Sequence, residues 1–132
     1  MVNNSEFLSY NEVMNEELFP YEIQDADAVS QALSHIPGKG CIDKLASFYK
    51  VMADPTRLSL LMALEAGELC ASDLANVAGM SRSAVSHQLK SLKEAHLVKS
   101  HKEGKTVFYE LDDEHIHKVL SVALEHVQED RS

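Results

Sequence analysis

The fold is decided by residues 69–92, which read LCASDLANVAGMSRSAVSHQLKSL. Apolar and small residues recur at helical spacing before Gly79, and glycine is the residue type that most often ends a helix in the left-handed conformation. We expect a short helix over residues 69–79, with three residues that face inward: Leu74, Ala75 and Ala78. Ser81 then stands where a serine caps the start of a second helix, expected over residues 81–95. A short helix, a tight turn and a second helix together form the helix-turn-helix pattern.

The second of these helices has one apolar face and one polar face. Its buried side is predicted to consist of Val85, Leu89 and Leu92. A recognition helix presents short polar groups, with Arg or Gln near its start, to the bases of the major groove. Basic residues further along such a helix contact phosphates. The residues of this helix expected to face DNA are Arg82, Ser83, Ser86, His87, Gln88 and Lys90.

A β-hairpin is predicted directly after the second helix. Residues 97–102 and 106–111 alternate in the manner of strands, and Glu103-Gly104-Lys105 joins them. This hairpin would be a wing, on which Lys102 and Lys105 contact the DNA backbone or the minor groove. For the residue types alone, the alternative of ordinary solvated faces stays open. The order of helix, turn, helix and hairpin favours DNA binding.

Further helices are predicted on both sides of this segment. Apolar spacing indicates helices over about 22–35 and 42–52, separated by the break Pro37-Gly38-Lys39-Gly40. Asp54-Pro55 starts another helix, which ends at Gly67, and a last helix runs over about 113–128. Its apolar stripe is predicted to be Ile116, Val119, Leu120, Ala123, Leu124 and Val127. The expected fold class is therefore mainly α with a β-hairpin wing (α+β), a winged helix-turn-helix.

Three regions are expected along the chain. Residues 1–40 form an acidic N-terminal arm and first helix, residues 41–111 the winged helix-turn-helix core, and residues 112–132 a C-terminal dimerisation and metal-binding helix.

The charge distribution fits a DNA-binding protein, although the net charge of the 132 residues is −9. Residues 1–40 carry seven acidic residues against one basic residue, whereas residues 80–105 carry six basic residues against two acidic ones. The basic stretch attracts DNA phosphates, while the acidic remainder restrains non-specific binding. No apolar stretch is long enough to cross a membrane, so we expect no membrane partner and a cytoplasmic location.

The last predicted helix carries four metal-ligand side chains, Asp113, His115, His126 and Glu129. The eleven-residue step between the two histidines spans about 16 Å along a helix axis, whereas zinc holds its ligands at about 2 Å. One helix therefore cannot close the site, but an antiparallel second copy could supply the missing half. Two nitrogens and two oxygens suit zinc in a tetrahedral site, and cobalt as well. On the residues alone, a merely charged helix end remains the alternative.

Residues 42–129 resemble the ArsR/SmtB family of winged-helix metal-sensing repressors. The stretches that carry the resemblance are 53–58 (ADPTRL), 68–75 (ELCASDLA) and 83–92 (SAVSHQLKSL). The zinc-responsive branch of that family has its interfacial metal site at the positions of the four C-terminal ligands. The resemblance implies a homodimer, joined through its N- and C-terminal helices, that binds an inverted-repeat operator. It further implies release by zinc or cobalt, which would derepress metal-efflux or homeostasis genes.

The family also has a soft-metal site that joins the region of Cys70 to the N-terminal arm. Cys70 and Asp73 match one half of it, but Ser72 replaces its second cysteine, and residues 1–34 contain neither Cys nor His. A redox or soft-metal sensor that uses Cys70 and Cys41 is the alternative function. Four other histidines are expected on the surface rather than among the ligands: His35, His96, His101 and His117. No catalytic constellation is present, so an enzyme is not expected.

Overall fold

A computed structural model of the chain describes residues 21–130, so residues 1–20 of the predicted N-terminal arm lie outside the described residues. The described part contains six helices and three strands. The helices are α1 (Ala26–His35), α2 (Lys39–Met52), α3 (Pro55–Leu64), α4 (Ala71–Ala78), α5 (Arg82–Glu94) and α6 (Glu114–Val127). The strands are β1 (Leu69–Cys70), β2 (Val98–Glu103) and β3 (Thr106–Leu111). The chain divides into two compact units, Met1–Tyr49 and Lys50–Ser132.

The first unit contains α1 and most of α2, and both helices begin at other residues than predicted. Asp25 caps α1 by accepting a hydrogen bond from the Ala28 backbone N–H at 3.0 Å, so the helix begins four residues later than the expected residue 22. The predicted break at residues 37–40 is shorter than expected, because α2 already begins at Lys39 and includes Gly40. The Ile42 N–H donates to the Gly38 carbonyl at 3.0 Å, and an ion pair of 3.1 Å between Lys39 and Asp43 supports this first turn.

The second unit encloses the core. Asp54 caps α3 through the Arg57 N–H, with Pro55 at the first helical position, as the sequence predicts. Eight large side chains contributed by α3, α4, α5 and the start of the wing are fully buried. They are Leu60, Leu61, Leu74, Val85, Leu89, Leu92, Leu97 and Val98. The predicted buried side of α5, consisting of Val85, Leu89 and Leu92, is thereby confirmed. Because this side packs in the core, the opposite, polar face of α5 points to solvent.

The turn between α4 and α5 has the predicted chemistry. Gly79 adopts the left-handed conformation at φ 65°, which an L residue with a side chain rarely adopts. Ser81 caps α5 by accepting from the Ala84 N–H at 3.1 Å. Of the three residues predicted to face inward on α4, Leu74 and Ala75 are buried and Ala78 is half-buried.

Two residues assigned to the start of the short helix are instead a strand. Leu69 pairs with Tyr109 and Cys70 with Phe108, so β1 lies antiparallel to β3 in a sheet of order β1-β3-β2. The prediction of helix at Leu69 and Cys70 was wrong because a two-residue strand leaves no periodic signal. This short strand satisfies backbone groups on the edge of β3 that the hairpin alone leaves unpaired.

The wing is a two-residue hairpin. Pairing runs from Val98 with Leu111 to Glu103 with Thr106, which leaves only Gly104 and Lys105 in the turn. A three-residue connection was expected, but Glu103 is the last residue of β2, so the turn has one residue fewer.

The last helix, α6, buries only the first half of its predicted apolar stripe. Ile116 and Leu120 are 5% and 3% exposed, whereas Leu124 and Val127 near the other end are 40% and 79% exposed. Val122, outside the predicted stripe, is also exposed. No helix within residues 21–130 is long and apolar enough to cross a membrane.

Candidate nucleic-acid interface and metal ligands

The polar face of α5 carries most of the predicted DNA-reading side chains at the surface. Five of the six are exposed: Arg82, Ser83, Ser86, His87 and Lys90. They are held by a helix that is capped at its start and buried along its other face, so the backbone beneath them is fixed. This arrangement suits a helix that enters a groove as a rigid body.

Gln88, the sixth predicted DNA-reading residue, is half-buried and held by a residue that sequence reasoning missed. The Arg57 Nε–H donates to Gln88 Oε1 at 2.9 Å, across 31 residues of sequence. Because a guanidinium has only donors, the oxygen of the Gln88 amide must face Arg57. The NH2 group of the amide is then left to donate to another acceptor. The ADPTRL stretch contains Arg57, but helical spacing carries no signal for a contact this distant in the chain.

The wing brings further cationic side chains to the same side as the start of α5. Lys102 and Lys105 are exposed, as predicted. A cleft of about 410 Å³ separates the wing from α5, and its lining includes Arg82, Ser86 and Lys105. At the other end of α5, Lys93 donates to the Ser100 hydroxyl of β2 at 2.7 Å. The helix and the wing therefore form one surface with basic groups on both walls of the cleft.

The start of α6 holds one half of the predicted metal-ligand set. Asp113 caps the helix, since its Oδ1 accepts from the Ile116 N–H at 3.2 Å, and its Oδ2 lies 3.3 Å from His115 Nδ1. The hydrogen bond from the Ile116 N–H, followed by the interaction with His115, lowers the pKa of Asp113. The carboxylate is thereby kept in the ionised form that binds metals.

The end of α6 holds the other half. His126 Nδ1 lies 3.8 Å from Glu129 Oε1, and both side chains are exposed. The two pairs belong to opposite ends of one continuous helix, about 16 Å apart along its axis. The structure therefore brings each pair together but keeps the pairs apart. Imidazole nitrogens and carboxylate oxygens are ligands that zinc accepts, so both pairs fit that ion by donor type.

His117 lies at the surface, as predicted, with its side chain 44% exposed. It also has a partner that was not predicted, since its Nδ1 lies 3.8 Å from Glu65 Oε2 just beyond α3. The other oxygen of Glu65 is buried and has no hydrogen-bond partner among the described residues. The contact with Glu65 links α6 to the residue that follows α3.

The residues considered for a soft-metal site do not form a three-ligand group within residues 21–130. Cys70 is half-buried and occupies the N-cap position of α4, but its side chain makes no capping hydrogen bond. Asp73 is exposed in the first turn of that helix. Cys41 is exposed on α2, and both cysteines are free thiols.

One group of metal-ligand side chains does converge, and sequence reasoning missed it. Glu68, His101 and Glu103 each offer one ligand atom, and these atoms lie within 4.8 Å of one another. His101 was expected to be an ordinary surface residue. The spacing of His101 and Glu103, two residues apart on a strand, was a signal for two of the three. Glu68 joins them only through the position of β1, which was not predicted.

Comparison with known proteins places this fold among bacterial regulators. Residues 54–100 match the family model for bacterial regulatory proteins of the arsR family. The chain is 43% identical to a transcriptional repressor SmtB homolog of Synechocystis sp., over 65% of each chain. It is 37% identical to a cadmium resistance transcriptional regulatory protein CadC homolog of Staphylococcus aureus, over 78% of this chain and 85% of that one. A homodimeric winged helix-turn-helix DNA-binding domain from Mycobacterium bovis has a similar structure. It shares 28% identity, with a TM-score of 0.63 over 70% of this chain and 90% of that one.

Proposed function

The chain belongs to the arsR family of bacterial regulatory proteins, and from that membership we propose that it is a homodimeric transcriptional repressor released from operator DNA by zinc. The family consists of DNA-binding regulators rather than enzymes. Cobalt, with the same preference for imidazole and carboxylate ligands, would act at the same site. We further propose that it acts in the cytoplasm, where the DNA is, and controls metal-efflux or homeostasis genes.

The proposed DNA interface is the exposed face of α5 together with the wing. Arg82 and Ser86 contribute from the helix and Lys105 from the hairpin, on opposite walls of one cleft. In a two-fold dimer, two such surfaces would read an inverted repeat whose half-sites lie about one helical turn of DNA apart. Side chains on α5 would read bases, and the lysines of the wing would contact phosphates.

Exposed apolar side chains on α2 and α6 support the proposed dimer. Leu45 and Tyr49 of α2 are 46% and 52% exposed, and Val122 and Val127 of α6 are 63% and 79% exposed. Amphipathic helices normally bury such residues against another element. A second copy of the chain would cover them, in agreement with the homodimeric state of the similar Mycobacterium bovis domain.

The proposed zinc site lies between two protomers. Asp113 and His115 of one chain would bind the ion together with the partner's His126 and the partner's Glu129. The single observation that carries this proposal is that the two ligand pairs are each assembled, at 3.3 Å and 3.8 Å, but at opposite ends of one helix. An antiparallel α6 pair would place unlike ends together twice, which gives two equivalent sites per dimer.

Contacts at the start of α6 offer a physical route from that site to the DNA interface. The Asp112 N–H, immediately before the Asp113 cap, donates to the Leu97 carbonyl at 3.0 Å. The Leu97 N–H in turn donates to the carbonyl of Leu92, in the last turns of α5, at 2.9 Å. A change in the angle between the two α6 helices would therefore move the recognition helices relative to each other. Zinc and operator would then weaken each other's binding by the same factor.

A mixing experiment tests whether the site is shared between protomers. One variant carries Asp113→Asn and His115→Ala, and the other carries His126→Ala and Glu129→Gln. Each variant alone should lack tight zinc binding, because every site in its homodimer has lost one pair. Mixed dimers should regain one intact site of the two. If mixing restores nothing, or if either variant alone binds zinc as the parent does, the shared site is excluded.

The second candidate function is a soft-metal or redox sensor that uses the cysteines. Its support is that one relative is a cadmium resistance regulator and that the half-buried Cys70 occupies the start of α4 beside the DNA cleft. Replacement of Cys70 and Cys41 by serine separates the two functions. This candidate requires the double variant to lose its response on DNA, whereas the zinc proposal requires the response to remain.

A further inference from the structure

The wing and the residue before β1 bring together three side chains that neither the DNA interface nor the C-terminal ligand set uses. We call Glu68, His101 and Glu103 the wing cluster. His101 Nε2 lies 3.5 Å from Glu68 Oε2 and 3.3 Å from Glu103 Oε1. The three residues come from two separate segments of the chain, one before β1 and one on β2, so the folded sheet is what assembles them.

The sheet holds the imidazole of the wing cluster in place. His101 pairs with Phe108 of β3, and the two rings stack with centroids 5.7 Å apart and planes 22° from parallel. Glu103 lies two residues further along β2 and therefore on the same face of the sheet. Glu68 immediately precedes Leu69, the first paired residue of β1 on the far side of β3. Both carboxylates thus reach a ring whose orientation is already fixed by stacking.

The two distances from His101 Nε2 to the carboxylates match those between neighbouring ligands of a divalent metal ion. Zinc binds imidazole nitrogen and carboxylate oxygen at about 2.0–2.2 Å, and neighbouring ligands at the corners of such a tetrahedron are about 3.4 Å apart. The two separations from His101 Nε2, 3.3 Å and 3.5 Å, lie on either side of that value. One imidazole and two carboxylates suit zinc, cobalt or manganese rather than a thiolate-seeking ion. Three protein ligands also leave a position open for water.

We propose that the wing cluster is a second divalent-cation site and that its occupation strengthens DNA binding. The cluster contains two carboxylates on or beside the sheet that also carries Lys102 and Lys105, the cationic residues of the wing. A divalent cation bound there would neutralise the negative charge of these carboxylates and leave the wing more attractive to DNA phosphates. Metal at the wing cluster would thus strengthen DNA binding, whereas metal at the C-terminal ligands is proposed to weaken it. Together, the two sites would limit the range of metal concentration over which the protein leaves the operator.

Cobalt binding to the full-length chain tests the site itself. In the background His115→Ala, His126→Ala, which removes both C-terminal histidines, one cobalt ion per protomer should still bind and give a visible absorption band. Adding His101→Gln should abolish that band, and adding Glu103→Gln should weaken binding at least about tenfold, since even residues that only support a ligand cost that much. Glu110→Gln is the matched control, because Glu110 lies on the neighbouring strand, 3.7 Å from Lys99, and outside the cluster.

The outcomes of the cobalt experiment separate this site from the proposed C-terminal one. Absence of cobalt binding in the background variant, or binding that survives both His101→Gln and Glu103→Gln, overturns the wing site. Thermal unfolding of each variant shows whether lost binding reflects lost folding. Glu103, which is exposed, serves as the substitution least able to disturb the fold. A failure of the C-terminal proposal leaves this result unchanged, because the background variant already lacks both C-terminal histidines.

DNA affinity tests the regulatory half of the proposal. In the same background, manganese or cobalt should tighten binding to a selected duplex by about fivefold or more, the lower end of common couplings between sites. Adding His101→Gln should remove that gain. Unchanged or weaker DNA binding with cobalt bound at the wing would refute the regulatory role.

Discussion

At the scale of single residues, Asp113 combines two tasks that are separable by substitution. One oxygen accepts the Ile116 N–H as the cap of α6, and the other lies beside His115. Asparagine caps helices about as well as aspartate, but its neutral amide is a poor metal ligand. Replacement of Asp113 by asparagine should therefore preserve the start of α6 but weaken the binding of zinc.

We predict that Asp113→Asn keeps the thermal stability of the chain but weakens zinc binding. The expected loss of affinity is at least about tenfold, because residues that only support a ligand already cost that much. Competition with a chromophoric chelator measures the affinity, and Glu125→Gln on the same helix is the control that should behave as the parent. Equal zinc affinity in Asp113→Asn and the parent would remove Asp113 from the ligand set.

The lowered pKa of Asp113 predicts how that stability depends on acid. Because the pKa in the folded chain lies below its usual 3.8, ionised Asp113 stabilises the fold fully above pH 3.8. That contribution disappears as the pH falls through the folded pKa, below 3.8. In urea unfolding, the parent should therefore lose stability relative to Asp113→Asn, which cannot titrate, as the pH falls from about 5 to about 3. A difference that does not change between these conditions contradicts the assignment.

Arg57 is predicted to influence which DNA sequence is read, although it does not lie on the exposed face of α5. Its Nε–H holds Gln88 Oε1, and a lysine in its place keeps the charge but loses the planar donor geometry. Arg57→Lys should relax the preference at one base position of each half-site, by roughly the tenfold that a good base contact provides. Binding selections from random DNA provide the readout.

Gln88→Ala is the matched variant for this test. It should relax the same base position as Arg57→Lys, and the double variant should add little, since the two side chains act as one unit. Loss of preference at different positions, or no loss in either variant, would show that the bond between them has no role in reading DNA.

At the scale of elements, the helices were predictable where a cap and an apolar stripe coincide. Asp54-Pro55 and Ser81 cap α3 and α5 as expected, and Gly79 ends α4. The strand Leu69–Cys70 was not predictable, because two residues carry no alternation and their structure depends on β3, nearly forty residues later in the chain. The wing cluster and the contact between Arg57 and Gln88 were missed for the same reason: both arise from tertiary pairing rather than from local spacing.

The C-terminal ligand set was the opposite case, since its geometry follows from one continuous helix. The helix from Glu114 to Val127 contains both His115 and His126, so their separation is fixed by the helical rise. The structure adds the distances within each pair, 3.3 Å between Asp113 and His115 and 3.8 Å between His126 and Glu129.

The exposed half of α6 leads to a prediction about assembly. Val122→Glu or Val127→Glu should weaken the dimer by roughly tenfold or more, because a charge would replace an exposed apolar side chain of the proposed contact. Sedimentation at several concentrations measures the effect, with Lys118→Glu as a control on the same helix. If both valine variants remain dimers at the concentrations where the parent does, α6 is not the dimer interface.

At the scale of the whole molecule, a negatively charged chain carries basic side chains on both walls of the cleft where DNA is expected to bind. The net charge is −9, yet Arg82 and Lys105 line the cleft between the recognition helix and the wing. Orientation on DNA is thereby restricted to one face, and the acidic remainder lowers binding to arbitrary sequences. A ligand that alters the angle between two protomers then needs to displace only two recognition helices.

The central claim is that zinc at the C-terminal ligands weakens operator binding, and DNA affinity with and without zinc tests it most directly. The DNA is a duplex that the metal-free chain selects from a random pool, and fluorescence anisotropy measures binding by the parent and by His126→Ala. We expect zinc to weaken binding by the parent about tenfold or more, and to cause no loss in His126→Ala. Unchanged affinity in the parent, or an equal loss in His126→Ala, would contradict the account.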